Sequence, residues 1–202
     1  MADLPTVVCY GDSNTYGYDA ATGGHHRRDV RWPSVASEAL AGRAHVVEEG
    51  LNGRTTIWDD PFGVAVVVIL LGTSDLKTIF RVDAPAIASG ARALADMART
   101  SGTGPAGGQP AVLLVAPPPL GPATDHSDLW GFGSGRDSST RLGPLCRLAA
   151  ELAGASFLEA GALVGADPSD GVHLDPAAHG ALGRAIAAAV DDILAGDGRQ
   201  GR

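Results

Sequence analysis

The sequence predicts an α/β fold: a three-layer α/β/α sandwich around a parallel sheet of about five strands. Three observations predict it. Short apolar, β-branched runs alternate with stretches of helical spacing along the chain. The run at 64–71, VAVVVILL, is continuously apolar, as a parallel strand covered on both faces must be. Polar segments follow the runs in turn: GDSNT, GLNGRTT, GTSD, APPPLGP and DGVH. In open parallel sheets, sites form at the carboxyl ends of the strands.

The elements follow in order. Residues 6–10 are a short β-branched run and read as a buried strand. Residues 32–40 place Trp32, Val35, Ala36, Ala39 and Leu40 on one helical face. Residues 45–48 read as a second strand and 64–71 as the third. Residues 84–99 form an Ala-rich helix. The following GTGPAGGQP is a loop, without the Lys-Ser/Thr ending of a phosphate-binding loop. Residues 111–116 are a fourth strand, closed by Pro117, Pro118 and Pro119. Residues 139–153 are helical and 156–158 form a short fifth strand. A last helix spans 176–194, with Pro176 in its first turn. Residues 1–195 thus form one domain, and 196–202 read as a disordered tail.

Composition narrows the function. At 202 residues the chain can bury a substantial core. Its 45% hydrophobic and 19% charged residues are those of a soluble globular protein. A net charge of -8 argues against a nucleic-acid partner or an anionic membrane surface, both of which would repel it. The longest apolar run is far too short to span a bilayer. The N-terminus lacks the cationic and long apolar regions of a signal peptide, so a cytoplasmic location is the expectation. Cys9 and Cys146 have no metal-ligand spacing and read as buried free thiols.

Ser13 is the candidate nucleophile. A serine in a polar loop is ordinarily a turn or cap residue. Here the preceding strand fixes it at the sheet edge, and a helix starting after it would aim free N–H groups at an oxyanion. His173 is the candidate base. Asp170, three residues earlier, can hold one ring nitrogen while the other faces Ser13. His25, His26, His45, His126 and His179 read as surface or packed residues. A metal site at Asp167, Asp170, His173 and Asp175 is the rival reading, weakened by the lack of a second His or any Cys among them.

Taken together these motifs resemble the SGNH, or GDSL-type, hydrolases. Gly11-Asp12-Ser13-Asn14-Thr15 matches the first block, Gly53 the second, Gly72-Thr73-Ser74-Asp75 the third, and Asp170 with His173 the last. EEGLNGRTTIWDDP, LGTSDLK and APPPL are similar to the bacterial arylesterase and acyltransferase branch. The resemblance implies a flavodoxin-like sandwich and ester hydrolysis through an acyl-enzyme, without metal or organic cofactor. It implies a small-molecule ester as partner, and acyl transfer to alcohols as an accompanying reaction. Ser13, Asp170 and His173 would be catalytic. The N–H groups of Ser13 and Gly53, with the side chain at 74, would meet the oxyanion. Asp12, Tyr16, Arg54 and Trp58 are candidate substrate-binding residues, with Tyr18 beside them. Asp12 fits better as a turn former, and packing is the alternative role for the aromatic residues.

The chain departs from that pattern twice. The third block holds Ser74 where the family has Asn. A hydroxyl still donates, but it is shorter and rotates freely. Losing one such donor costs roughly 10²–10³ in rate, about 3–4 kcal/mol. Second, the link between 59 and 64 is short, whereas the resembling branch carries a crossover helix there. An extended return is expected, leaving part of the third strand uncovered. Such a patch would call for a partner subunit, hence a homo-oligomer, or would favour aggregation. These departures motivate an alternative, a weakened hydrolase that binds an ester or carbohydrate ligand. A flavodoxin-like nucleotide binder is a third reading, although no loop supplies a phosphate cradle.

Overall fold

A computed structural model describes residues 4–55 and 64–200. In chain order the strands are β1 (Thr6–Gly11), β2 (Tyr18–Asp19), β3 (Gly24–His25), β4 (His45–Gly50), β5 (Val66–Leu70), β6 (Ala111–Ala116) and β7 (Ser156–Glu159). The helices are α1 (Ser13–Tyr16), α2 (Trp32–Ala39), α3 (Ala84–Thr100), α4 (Asp125–Leu129), α5 (Arg136–Ser139), α6 (Leu142–Ala153) and α7 (Pro176–Gln200). Five strands form one sheet in the order β4-β1-β5-β6-β7, every pair parallel. This is the flavodoxin-like arrangement, whose switch point lies beside the first strand. β2 and β3 make a separate small hairpin.

Alternation along each strand divides the core into two layers. Val8 and Tyr10 of β1, with Val67 and Ile69 of β5, face Ile87, Ala91 and Leu94 of α3 and Cys146 and Ala150 of α6. Val7 and Cys9, with Val66, Val68 and Leu70, face Trp32 and Ala36 of α2 and Leu182, Ile186 and Val190 of α7. Both cysteines are free and buried, as expected. No helix among the described residues is long and apolar enough to cross a membrane.

Three differences from the sequence reading stand out. Residues 64–71 are buried throughout, so the expected bare patch on the third strand does not exist. Helices from elsewhere in the chain, α3 on one face and α2 with α7 on the other, supply its cover. The link at 56–63 that motivated the expectation lies outside the described residues. The helix expected at 139–153 starts at Leu142 instead, as α6, and Ser139 ends a separate short helix, α5. Pro144 has no N–H to bond the carbonyl of residue 140, so it is accommodated only in the first turn of a new helix. The last helix runs to Gln200, through most of the expected disordered tail. Gly196 there lacks the left-handed φ of a helix-ending glycine, and no proline follows.

Register is what positions the site. Gly11 at the end of β1 pairs with Gly50 of β4 on one side and Leu70 of β5 on the other. The GDSNT, GLNGRTT and GTSD segments therefore leave the sheet side by side. Gly50 permits α1 to cross here: a Cβ would lie 2.2 Å from the Tyr16 backbone N and 2.5 Å from the Thr15 carbonyl carbon. Backbone cannot rotate out of the way as a side chain can. Gly50→Ala should destabilise the protein by about 2 kcal/mol or more in urea unfolding. Gly165→Ala, where a Cβ meets nothing within 4 Å, should shift stability by less than about 0.5 kcal/mol.

Candidate active site

β1 ends at Gly11, where a Cβ would lie 2.0 Å from Thr15 Oγ1 and 2.6 Å from the Leu70 carbonyl oxygen. The chain then turns sharply. Asp12 caps α1 by accepting the Asn14 N–H at 3.0 Å, and Gly17 ends the helix with φ +86°. Ser13 is thereby held at the first helical position, with its hydroxyl above the end of the sheet.

The partners of Ser13 arrive from 160 residues away. Its Oγ lies 3.0 Å from Nε2 of His173, and Nδ1 of His173 lies 2.6 Å from Oδ2 of Asp170. A proton on Nδ1, directed at the carboxylate, would leave Nε2 able to accept a hydrogen bond from the Ser13 hydroxyl. The other oxygen of Asp170 accepts the N–H groups of Val172 and His173 at 2.8 and 2.9 Å. The 170–173 loop is fastened on two sides. The Leu174 N–H donates to Asn14 Oδ1 at 3.1 Å, and the Thr124 hydroxyl donates to the Asp170 carbonyl at 3.0 Å. Tyr18 and Trp130 wall in the imidazole, their ring centroids 4.3 and 5.6 Å from it.

Ser13 and His173 open onto a cleft of about 170 Å³. Gly53 and Asn52 line one side of it, and Ser74 and Lys77 line another. Tyr18, Trp130 and Phe132 supply aromatic walls. Gly53 sits in a turn closed by Arg54 N–H to the Leu51 carbonyl at 3.0 Å. Its φ of +79° is one that glycine adopts without strain. Ser74 begins a short 3₁₀ turn, and its N–H donates to the Asp12 carboxylate.

The comparisons with known proteins agree with this geometry. The model of the GDSL-like lipase/acylhydrolase family matches residues 9–181. The chain belongs to that family. It is thus an esterase or acylhydrolase by descent, and its sheet and helices are those of the SGNH hydrolases. Among solved structures, a carbohydrate acetylesterase family member from Sinorhizobium meliloti is 35% identical, with a TM-score of 0.88. That match covers 95% of this chain and 100% of the other. The aryl esterase of M. smegmatis is 32% identical with a TM-score of 0.85, covering 94% of this chain and 100% of the other. No match was found among curated proteins.

Of the residues singled out from sequence, Ser13, Gly53, Ser74 and His173 meet at the cleft, with Asp170 behind His173. The proposed substrate contacts fare differently. Asp12 is 1% exposed and lies beneath Ser13, not on the cleft wall. Tyr16 stacks on His25, with centroids 4.0 Å apart, away from the cleft lining. Arg54 folds back over the Tyr10 ring at 4.1 Å and donates to the carbonyls of Gly11 and Glu49, stapling the Gly53 turn to the sheet. Trp58 lies outside the described residues. Asp167 and Asp175 do not form a metal-ligand set with His173. Asp167 accepts the Ser169 N–H, Asp175 accepts the Ala178 N–H at the start of α7, and Asp170 is committed to His173.

Sequence reasoning missed Asn52, Lys77, Trp130 and Phe132. Asn52 and Lys77 lie inside motifs already singled out, so position in the motif was a usable signal. Trp130 and Phe132 follow α4 in a stretch without periodicity, and only the folded chain brings them to the cleft.

Burial pushes Asp12 up to about 6, against the opposing pull of the Asn14 N–H, His173 and the Ser74 N–H. Burial also pushes Asp170 up, but hydrogen bonds from the His173 ring and from the N–H groups of His173 and Val172 outweigh it. Asp170 therefore stays below the usual carboxylate range. His179, buried first of all by α2 and then facing His26, falls to about 3, and its Nδ1 accepts the Trp32 N–H. It is neutral at ordinary pH and belongs to the packing.

A carboxylate whose folded pKa is raised stabilises the fold below its unfolded pKa and loses that contribution as pH climbs through the folded value. For Asp12 the window runs from about 4 to about 6. Asp12→Asn should therefore gain on the parent by about 2 kcal/mol between pH 4.5 and pH 7.5. Unfolding titrations at the two pH values check this, and an unchanged difference would refute it.

Proposed function

We propose that the protein is a serine esterase that cleaves small acyl esters through an acyl-enzyme. The observation that carries this reading is the continuous chain from the Ser13 hydroxyl through His173 to the buried Asp170, with links of 3.0 and 2.6 Å. Ser13 Oγ attacks the ester carbonyl carbon while Nε2 of His173 takes its proton. The carbonyl π electrons move onto oxygen. That oxyanion is met by the N–H groups of Ser13 and Gly53, with the Ser74 hydroxyl as a shorter third donor. The intermediate collapses, the C–O bond to the alcohol breaks, and His173 gives its proton to the departing alkoxide. Water then repeats the sequence on the acyl-enzyme and releases the acid. An alcohol in place of water gives acyl transfer.

The size and walls of the cleft support a short acyl group and a planar or ring-shaped alcohol. A cleft of about 170 Å³ admits an acetyl-sized group beside the nucleophile. Tyr18 and Trp130 offer ring faces and edges to an aryl or sugar alcohol. Acetylated sugars and aryl acetates are the substrate classes this favours, in keeping with the names of the two similar structures.

The assay is p-nitrophenyl acetate hydrolysis. Ser13→Ala should abolish it, and a fluorophosphonate should label the parent but not the variant. Ser74→Asn should raise kcat by about tenfold or more with little change in KM, since the restored donor acts mainly on the transition state. A folded parent that neither turns over the ester nor takes the label would overturn the esterase reading.

A further inference from the structure

The chain has 15 cationic side chains, of which only one, Lys77, is a lysine. That lysine lines the same cleft as Ser13 and His173. We propose that Lys77 selects esters whose alcohol part carries an anionic group, such as a carboxylate. The inference rests on the esterase reading and adds to it a substrate class.

Charge is the first argument. Arg27, Arg28, Arg31, Arg43, Arg92, Arg136 and Arg147 are each paired with an acidic side chain. Lys77 is in none of the ion pairs among the described residues. Its one charge-related contact among the described residues is the face of Phe132, with Nζ 5.3 Å from the ring centroid. Of the nearby acids, Asp12 and Asp170 are spent elsewhere, on the N–H groups of Asn14 and Ser74 and on His173. The buried Asp75, two residues before Lys77, has a partner of its own and no ion pair with Lys77 among the described residues. A cation held at the catalytic cleft of a chain with net charge -8 is the local feature that would attract an anion rather than repel it.

Geometry is the second. Lys77 directly follows the 3₁₀ turn Ser74–Leu76, so its backbone is placed by the same turn that positions Ser74. The residue is half-buried and lines the cleft, so an apolar stem can pack against the wall while the ammonium stays within reach of solvent. The acyl group must sit innermost, against Ser13, and a cleft this small leaves the alcohol to project toward the rim. The charge that Lys77 meets is therefore on the alcohol. The contact with Phe132 orients the ammonium without neutralising it.

The test is a matched pair of substrates, 4-acetoxybenzoate and its methyl ester, which differ by one charge on the alcohol side. The ratio of their kcat/KM values should fall about five- to tenfold in Lys77→Met, chiefly through KM of the anionic ester. Lys77→Arg should restore most of it. Raising sodium chloride from 20 mM to 500 mM should shrink the ratio in the parent and leave it unchanged in Lys77→Met. A ratio that is the same in the parent and Lys77→Met would overturn the proposal. Calorimetric binding of the two esters to Ser13→Ala, with and without Lys77→Met, gives the same comparison without turnover. If neither ester is cleaved but Lys77→Met still loses the preference in binding, the esterase reading fails and the assignment of Lys77 stands. If binding also shows no preference, the assignment of Lys77 fails on its own.

Discussion

The site depends on one buried carboxylate. Asp12 joins the first and third loops of the sheet edge by accepting the Asn14 N–H from one and the Ser74 N–H from the other. Burying that charge is costly, as its raised pKa of about 6 shows. What the fold gains is position. The loop that carries Ser13 and the loop that carries Ser74 are tied to a single group, so neither can drift independently of the other. Asp12 thus acts through its neighbours and has no direct contact with the cleft.

The other half of the site is assembled at long range. Asn14, next to Ser13, accepts the N–H of Leu174, next to His173. Asp170 spends one oxygen on its own loop's backbone and the other on the imidazole. The loop is therefore held by the chain's own hydrogen bonds, and the rings of Tyr18 and Trp130 pack against His173. Preorganisation of this kind removes reorganisation from the reaction barrier. It also explains why the sheet order matters. Only β1, flanked by β4 and β5, can deliver three loops to one point, and the glycines Gly11 and Gly50 let them approach closely enough.

Much of this was legible in the sequence, and the limits have physical causes. The five strands follow from apolar runs whose period and length are set by burial, and their parallel arrangement follows from the intervening helices. Ser13, Asp170 and His173 were legible as candidates because Ser13 directly follows the first strand and the Asp170–His173 spacing lets a carboxylate reach its own loop's imidazole. The aromatic walls were not, because Trp130 and Phe132 reach the cleft through tertiary folding of a stretch without period. The assignments of Asp12, Tyr16 and Arg54 to substrate failed for a common reason. Polar and aromatic side chains near a nucleophile can serve the scaffold as readily as the ligand, and only their partners distinguish the two: Asp12 faces backbone N–H groups, Tyr16 a histidine ring, and Arg54 backbone carbonyls and a tyrosine face. The bare third strand was a similar error, since cover supplied by distant helices cannot be read from a short local link.

The same distinction explains how the chain accommodates serine at position 74. The structural work there is done by the backbone: the N–H bonds Asp12, and the residue opens the 3₁₀ turn that leads to Lys77. Neither duty needs a carboxamide, and the small buried hydroxyl fits. A serine at 74 therefore meets both structural duties while presenting only a short side chain to the cleft. On the proposed esterase reading the cost falls on transition-state stabilisation and not on stability, because the structural duty and the proposed donor role reside in different atoms of the same residue.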